Sequence, residues 1–338
     1  MVVACAEPNP QLPPPDEVLV VANRTEATLS TVSLNAATPP GRITLSGSEA
    51  NGFAVLGSTA VVPLPLEDAA DLVVFGGPGV VRTVGLPAGS GATGATVVDD
   101  STAYVANPNL NSITRIDLTT GDTASLDVGA YPQGLVSTRG RVFVLNGNVA
   151  PCSGPGGLCA LGPSWLTVVD PATNTLAGGT DSIPLPGPGN ARYAAIGSDG
   201  LLYVMSRGTG TDSRLSVVDP VGRRELANFG GFGASPGQMA SDRGERILIS
   251  SLSEGLMAFN IRTRSVERGA GTGVAIPDNS GVAVDGSFRV YAIRSGGCSG
   301  AVGQVVVLDS SLAPVRTIGL GRCAEEAAVT LLLPEAQP

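Results

Sequence analysis

The sequence of 338 residues predicts an all-β fold, a seven-bladed β-propeller with four-stranded blades. Three observations support this prediction. A strand motif recurs along the whole chain, its copies lie about 40 to 45 residues apart, and the incomplete copies at the two ends complement each other. Four short strands and their turns require this spacing, which favours a propeller over a sandwich or a βαβ fold.

The recurring strand is clearest in the segment YVAN. Its seven copies end at Asn23, Leu64, Asn107, Asn146, Ser206, Ser251 and Arg294. Each copy is followed by a second strand, as in TRIDLTTGD, by a weaker third strand, and in most copies by a fourth that runs into a tight turn, as in PQGLVSTRG. An insertion separates the fourth copy from the fifth. No stretch shows sustained helical periodicity with caps.

The two ends of the chain predict how the ring closes. The chain begins with a YVAN-type strand that lacks a preceding inner strand, and it finishes with EEAAVTLLL, an inner strand with no blade after it. We therefore expect the C-terminal strand to complete the N-terminal blade and to leave no open edge. The predicted domains are a tail or tether over residues 1–15 and a propeller over residues 16–338.

The segment AYVANPNLNSITRIDLTTGDT, supported by LSVVDP and LTVVDP, resembles the YVTN-type repeat of secreted and periplasmic bacterial β-propellers. The pattern covers nearly the whole chain from Asp16 onward. The resemblance implies the propeller fold and an extracytoplasmic location, in the periplasm or at the cell surface, but no particular activity. The second copy departs most from the pattern, because Pro63 and Pro65 lie in and just after its YVAN-type strand.

Composition excludes several classes of function. The formal net charge is −9, all 20 basic residues are arginines, and the chain contains neither lysine nor histidine. An acidic surface without basic runs argues against nucleic acid and anionic membrane as partners. The absence of imidazole and amine groups excludes Ser-His-Asp and Cys-His catalysis, Schiff-base chemistry and His-ligated zinc.

The five cysteines indicate an oxidising compartment. Cys152 and Cys159 bracket a glycine-rich loop, and Cys298 and Cys323 flank a pair of strands. Two disulfides are favoured over free thiols, because a zinc site would need closer C-x-x-C pairs or histidines. The fifth, Cys5 in MVVACAEP, resembles the lipidated cysteine of a bacterial lipoprotein signal, although the apolar region before it is missing. The alternative is a disordered tail with one unpaired thiol.

Loop lengths predict that the two faces of the ring differ. Turns such as STRG and DLTTGD are tight and lie on one face. The connections of the other face, such as PNLNS and the insertion that carries Cys152 and Cys159, are longer and irregular. We call the two surfaces the tight-turn face and the loop-rich face, and we expect any functional site on the loop-rich face.

Aspartates at equivalent strand ends invite a catalytic hypothesis. These residues are Asp117, Asp170, Asp219 and Asp309. Because they occupy one blade position, they face different directions around a ring and cannot converge on one site. A carboxylate that accepts N–H bonds from its own turn explains their recurrence.

Residues at the starts of the inner strands do converge, since these strands line one channel. The predicted ring consists of Asn51, Tyr131, Gln133, Asn190, Arg192, Tyr193, Gln238, Asn279 and Glu325. An arginine with tyrosines and amides suits a small anion or a peptide segment, and Glu325 with Glu326 could add a cation ligand. The alternative is a polar lining for a water-filled channel.

No metal site is predicted, because Asp99–Asp100 and Asp278–Asn279 are ordinary turn sequences without calcium-loop spacing. The favoured function is an extracytoplasmic binding or scaffold propeller that recognises a protein, peptide or glycan. A lipid anchor on Cys5 is the only membrane contact that we expect. We expect a monomer with no resident cofactor. The alternative is a calcium-dependent hydrolase or lactonase. Propeller lyases rely on histidine and quinone-dependent dehydrogenases on repeated tryptophans, which this chain lacks.

Overall fold

The computed structural model describes residues 15–36, 38–152, 157–179, 181–298 and 300–332. Their strands form seven small sheets arranged in a ring, a seven-bladed β-propeller, as the sequence predicts. Cys5, and with it the predicted lipidation site, lies outside the described residues. None of the helices in the described ranges is long and apolar enough to cross a membrane.

Blades 1 to 3 occupy the first third of the chain, apart from one strand contributed by the end. Blade 1 consists of β1 (Asp16–Asn23), β2 (Thr28–Ser33), β3 (Gly41–Thr44) and β31 (Ala324–Leu332). Blade 2 consists of β4 (Ala54–Leu56), β5 (Thr59–Leu64), β6 (Ala69–Val74) and β7 (Gly79–Gly85). Blade 3 consists of β8 (Thr93–Asp99), β9 (Thr102–Asn107), β10 (Ser112–Asp117) and β11 (Thr123–Asp127).

Blades 4 to 7 follow in chain order. Blade 4 consists of β12 (Pro132–Thr138), β13 (Arg141–Asn146), β16 (Ser164–Asp170), β17 (Thr175–Leu176) and β18 (Ser182–Leu185). Blade 5 consists of β19 (Ala191–Ile196), β20 (Leu202–Ser206), β21 (Arg214–Asp219) and β22 (Arg224–Phe229). Blade 6 consists of β23 (Pro236–Ser241), β24 (Arg246–Ser251), β25 (Gly255–Asn260) and β26 (Ser265–Arg268). Blade 7 consists of β27 (Asn279–Val284), β28 (Val290–Arg294), β29 (Val302–Leu308) and β30 (Pro314–Arg322).

Two further kinds of element lie on the loop-rich face. The insertion between β13 and β16 forms a separate hairpin from β14 (Val149–Pro151) and β15 (Leu158–Ala160). Short 3-10 turns occupy Arg24–Glu26, Pro108–Leu110 and Gly296–Cys298.

The hydrophobic core lies between the blades. The two middle strands of a blade are apolar on both faces, so that β9 is buried at every residue, whereas the outer strand β11 is mostly exposed. Among the described residues, seven apolar clusters form, each joining two neighbouring blades. Burial of both sheet faces explains why the middle strands consist of near-continuous β-branched and apolar residues.

The C-terminal strand closes the ring as predicted. Strand β31 pairs antiparallel with β1, from Asp16 opposite Leu332 to Asn23 opposite Ala324. Its other neighbour is β27, where the Ser280 hydroxyl donates to the Ala324 carbonyl at 2.7 Å. The first and last strands of the described residues therefore pair with each other within one sheet.

Blade 2 is regular in spite of its prolines. Pro63 pairs with Ala70 of β6, while β4 covers only Thr59–Val61 of β5. Pro63 thus lies beyond the end of β4, where no strand needs its missing N–H. The second copy therefore departs from the sequence pattern without disturbing the pairing of its strands.

Blade 4 carries an additional strand at its outer edge. The outer strand of the repeat, in the segment DSIPLPG, is present as β18 and pairs with the first half of β16. A second short strand, β17, pairs with the end of β16. Pro184 lies within β18, at the edge of the sheet, where a missing N–H is tolerated.

Candidate functional site

A β-bulge near the start of six of the seven inner strands directs residues toward the central channel. In each case the pairing with the neighbouring strand skips forward and leaves one or two residues unpaired. The bulged residues are Gly94, Gln133, Arg192, Gly237–Gln238, Ser280 and Glu325–Glu326. Every one of them borders a cavity at the channel. Bulges of this kind re-aim side chains beside functional sites.

The glycines that follow two of these bulges allow the inner strands to approach closely. A Cβ atom on Gly134 would collide with the carbonyl oxygen of Arg192, and one on Gly281 would collide with that of Glu325. Neighbouring inner strands therefore touch through their backbones at this level. The sequence patterns PQG and NSG carry this requirement.

Three cavities lie at the channel. The mouth cavity, of about 380 Å³, opens on the loop-rich face between blades 5, 6, 7 and 1. The channel cavity, of about 140 Å³, lies between the inner strands and is bordered by Gln133, Gln238 and Glu326. The hairpin cavity, of about 440 Å³, lies beside the β14–β15 hairpin. Arg192 borders all three cavities and is the central residue of the site.

Arg192 is held in place by neighbours across the channel. Its Nη2 donates to Asn51 Oδ1 at 3.0 Å, and its guanidinium lies over the Tyr193 ring at 5.2 Å from the centroid. Tyr193, Glu326 and Glu325 raise the pKa of Arg192 above its ordinary value, although burial opposes them. A fixed, permanently charged guanidinium therefore stands where the cavities meet.

Arg207 is the second arginine of the site, and it lacks the support that Arg192 has. It follows directly after β20 and borders both the mouth cavity and the hairpin cavity. Among the described residues, no side chain forms an ion pair or a hydrogen bond with its guanidinium. Burial lowers the pKa of Arg207, and the charge of Arg192 lowers it further, while Tyr193 and Glu325 oppose this shift.

Arg24 and two glutamates complete the charges of the site. Arg24 Nε lies 3.3 Å from Glu49 Oε1 and 3.4 Å from Glu325 Oε1. Burial raises the pKa of Glu325, and Arg24 and Arg192 act against it. Burial raises the pKa of Glu326 to about 7, although Arg192 and a hydrogen bond from the Phe53 backbone favour the ionised form. Glu326 is therefore close to half-protonated at neutral pH.

The predicted amides serve mainly to join the blades. Gln238 accepts from the N–H groups of Val282 and Ala327, at 3.1 and 2.9 Å, and donates to the Ala327 carbonyl at 2.7 Å. Gln133 donates to Asn190 Oδ1 at 2.9 Å. Their polar atoms are therefore occupied by blades 5, 7 and 1 of the ring itself.

Two further ring predictions have different outcomes. Asn279 is fully buried beside the mouth cavity, where its Nδ2 donates to the Gly255 carbonyl at 3.1 Å. Tyr131 borders none of the three cavities, although burial raises its pKa and the Arg192 charge opposes the shift. The structure thus brings Arg192, Tyr193 and Glu325 together at the mouth and leaves Tyr131 to one side.

Both predicted disulfides are confirmed, and both lie on the loop-rich face. Cys152 and Cys159 join the strands of the β14–β15 hairpin, with a Cα–Cα distance of 5.1 Å. Cys298 and Cys323 join the β28–β29 connection to the link between β30 and β31, at 4.3 Å. The second bridge borders the mouth cavity.

Within the described ranges, one group of side chains has the proximity that a metal ion requires, namely Cys298, Cys323 and Glu325. Its two sulfurs are bonded to each other, so they are not free thiolates. Of the calcium candidates, Asp99 lies at the end of β8 on the tight-turn face, where it accepts from the N–H and hydroxyl of Ser101. Asp278 lies just before β27, at the mouth on the opposite face. These two carboxylates do not meet.

The turn aspartates have the role that their recurrence predicts. Asp117 Oδ1 accepts from the N–H groups of Thr119 and Thr120, both at 2.9 Å. Asp219 and Asp309 form equivalent bonds in their own turns. Hydrogen bonds from the Thr120 and Thr119 backbone hold the pKa of Asp117 below its ordinary value. These carboxylates stabilise turns and do not converge on a ligand site.

Sequence reasoning missed Arg24 and Arg207 as members of the site. Both residues follow directly after the second strand of a blade, Arg24 after β1 and Arg207 after β20. This position reaches the loop-rich face in every blade. Aligning the residue after each YVAN-type strand, as well as the strand itself, would have identified both arginines.

Comparison with known proteins supports the fold only. No family model matches the chain, and no curated protein matches it. The chain is similar in structure to the hydrazine synthase of Kuenenia stuttgartiensis, with a TM-score of 0.63 and 14% sequence identity. The similarity covers 85% of this chain and 96% of that chain. At this identity the likeness shows the propeller fold and carries no statement about activity.

Proposed function

We propose that the protein is an extracytoplasmic binding or scaffold propeller that presents a site for a protein, peptide or glycan on its loop-rich face. The observation that carries this proposal is the mouth cavity of about 380 Å³, where Arg192 and Arg207 lie next to Tyr193. Concave sites with a few convergent polar groups on a rigid scaffold are typical of ligand binding.

The free-energy cost of burying the Arg207 guanidinium supports the same proposal. The guanidinium of Arg207 is partly buried without an anionic partner among the described residues. Burying a charge without a partner costs free energy, and a bound ligand of opposite charge recovers part of it.

The location is part of the proposal. Two disulfides favour an oxidising compartment outside the cytoplasm, and the resemblance to YVTN-type repeats agrees with it. Attachment through a lipid on Cys5 remains a prediction. Thiol counting on the folded, secreted protein before and after reduction tests the compartment, because we expect four additional thiols after reduction.

An array of immobilised peptides and glycans tests the binding function. We expect ligands that bind the wild type at the loop-rich face and bind the double variant Arg192→Ala/Tyr193→Ala at least about tenfold more weakly, or about 1.4 kcal/mol. The matched control is Arg243→Ala, an exposed arginine in a tight turn of blade 6. Ligands that respond to the control and not to the double variant would contradict the proposal.

The alternative, a calcium-dependent hydrolase or lactonase, is addressed by a separate assay. Ester and lactone substrates are incubated with the protein in calcium and in chelator. Calcium-dependent turnover that is lost in a Glu325→Gln variant would favour the enzyme over the binding protein, since Glu325 and Asp278 are the acidic residues that border the mouth cavity.

A further inference from the structure

We propose that Arg192 and Arg207 form a binding site for a single carboxylate group, located where the mouth cavity meets the hairpin cavity. This inference rests on the proposed binding function and specifies the chemistry of the ligand. The carboxylate belongs either to a free small acid or to the carboxyl group of a peptide. Both sources present the same two oxygens to the guanidinium groups.

The position of the site follows from the cavities. Three residues border both the mouth cavity and the hairpin cavity, namely Arg192, Arg207 and Ser235. Two guanidinium groups and a hydroxyl therefore supply hydrogen-bond donors at one junction. Arg192 is fixed by Asn51 and Tyr193, so the site is partly preorganised before a ligand binds.

The junction itself is lined by positive charge. Arg192 and Arg207 border both cavities there, whereas Asp278 and Glu325 border only the mouth cavity and Glu326 borders only the channel cavity. Arg24, the third arginine of the mouth, already forms ion pairs with Glu49 and Glu325. A carboxylate at the junction therefore meets two guanidinium groups and no acidic side chain that borders both cavities.

A phosphate group fits the same junction less well. Asp278 and Glu325 border the mouth cavity, so a second negative charge on the ligand would meet carboxylates of the protein. A planar carboxylate with one charge can accept paired hydrogen bonds from a guanidinium without this repulsion. We therefore expect selectivity for carboxylate over phosphate dianion.

Glu326 links binding at this site to pH. The charged group that faces it from β19 is Arg192, and Glu325 is its neighbour on β31. From the β4 side it meets the Phe53 N–H, and Gly52 lies beside its Oε2. Gln238 of β23 borders the same cavity and is uncharged. When Glu326 ionises it competes with the ligand for Arg192, so carboxylate affinity falls as the pH rises from 6 to 8.

Calorimetric titration with three probes tests the proposal. The probes are benzoate, an N-acetylated tripeptide with a free carboxyl terminus, and the same tripeptide as its C-terminal amide. We expect benzoate or the free-acid peptide to bind the wild type, the amide to bind at least about tenfold more weakly, and inorganic phosphate not to compete. Preference for benzoate indicates a free acid as the source, and preference for the peptide indicates a chain terminus.

Variants distinguish this site from general charge effects. Arg207→Gln is expected to weaken carboxylate binding at least about tenfold without changing the fold, because its guanidinium has no partner among the described residues. Arg243→Gln on the tight-turn face is the matched control and is expected to bind as the wild type does. Glu326→Gln is expected to abolish the pH dependence between pH 6 and 8.

Several results would overturn the carboxylate site. These are equal binding of acid and amide peptides, equal competition by phosphate, or unchanged binding in Arg207→Gln. If no carboxylate probe binds while ligands from the array still depend on Arg192 and Tyr193, the carboxylate site is wrong and the binding function stands. If both fail, the binding function itself is wrong.

Discussion

The pKa values of carboxyl groups are shifted in opposite directions on the tight-turn face and in the channel that opens on the loop-rich face. On the tight-turn face, Asp117 and Asp309 accept N–H bonds from their own turns, and their pKa values lie below the ordinary value. In the channel, burial raises the pKa of Glu326 to about 7, and at the mouth on the loop-rich face Arg207 has no ion-pair or hydrogen-bond partner for its guanidinium among the described residues. Carboxylates that accept bonds from their own turns stabilise the fold, whereas charged groups buried around one channel are available to a ligand.

The largest effect is expected from removing the strand that supports both faces. Deleting residues 325–338 removes nearly all of β31 and exposes the edges of β1 and β27. We expect a loss comparable to the whole free energy of unfolding of a domain, about 5–15 kcal/mol, so that no cooperative transition remains. Deleting residues 1–14 should leave the melting temperature nearly unchanged. Comparable melting of both truncated chains, measured by calorimetry, would disprove closure by β31.

The second largest effect is expected in how the free energy of unfolding depends on pH, because the pKa values of Glu326 and Asp117 are shifted in opposite directions. Because the pKa of Glu326 is raised from 4.5 to about 7 in the folded state, its contribution is fully present below pH 4.5 and is lost as the pH rises through 7. We expect the wild type to lose roughly 3 kcal/mol more than Glu326→Gln between pH 5 and 8, in urea unfolding.

Asp117→Asn provides the contrast, because the pKa of Asp117 is lowered. Its stabilising contribution is present above the ordinary value of 3.8 and is lost as the pH falls further. We therefore expect its pH dependence to match that of the wild type between pH 5 and 8 and to differ only below about pH 4. A Glu326→Gln protein with the same loss as the wild type at high pH would refute the assignment.

Substitutions at two glycines compare the close packing between inner strands with the open packing of a tight turn. In Gly134→Ala the new methyl group meets the Arg192 carbonyl on the channel side, and we expect a loss of about 1–3 kcal/mol from overpacking. Gly140 lies in a tight turn with φ of 68° and open space around it, so Gly140→Ala should cost only about 1 kcal/mol of backbone strain. Denaturant unfolding measures both values. A larger loss at Gly140 would mean that the inner strands do not touch through their backbones.

The smallest expected effect on stability comes from single substitutions that affect either stability or ligand binding, depending on the face. Asp117→Ala should lower the melting temperature by a few degrees and leave ligand binding unchanged, because its carboxylate bonds only its own turn. Arg207→Gln should leave the melting temperature unchanged and weaken ligand binding. Differential scanning fluorimetry and the binding assay measure this crossed pattern, which would fail if both variants changed the same property.

The sequence predicts the fold well, because the features that define it are local. Strand period, turn residues and the spacing of the copies all lie within one blade. Even the closure by β31 could be predicted, since it follows from two incomplete copies. Asp117 was assigned to its turn for the same reason, as its hydrogen-bond donors lie two and three residues away.

The candidate site was predicted only in part, because its details depend on contacts between distant residues. Gln238 and Arg192 occupy similar bulges and both border the channel cavity. The polar atoms of Gln238 bind the backbone of two neighbouring inner strands, whereas Arg192 also borders the mouth and hairpin cavities. No sequence pattern separates these outcomes. Arg207 was missed because only the YVAN-type strands were aligned and not the residue that follows each of them, and Tyr131 was expected at the channel although it borders none of the three cavities.

Closure of the ring through β1 and β31 also decides how the molecule can be attached to a surface. Asp16 pairs with Leu332, so β1 starts and β31 ends side by side on the tight-turn face. A coupling group introduced at Asp16 or at Leu332 would therefore lie on that face. The arginine-lined mouth lies on the opposite face, so that a sensor chip or an affinity resin attached at these positions would leave the cavity accessible.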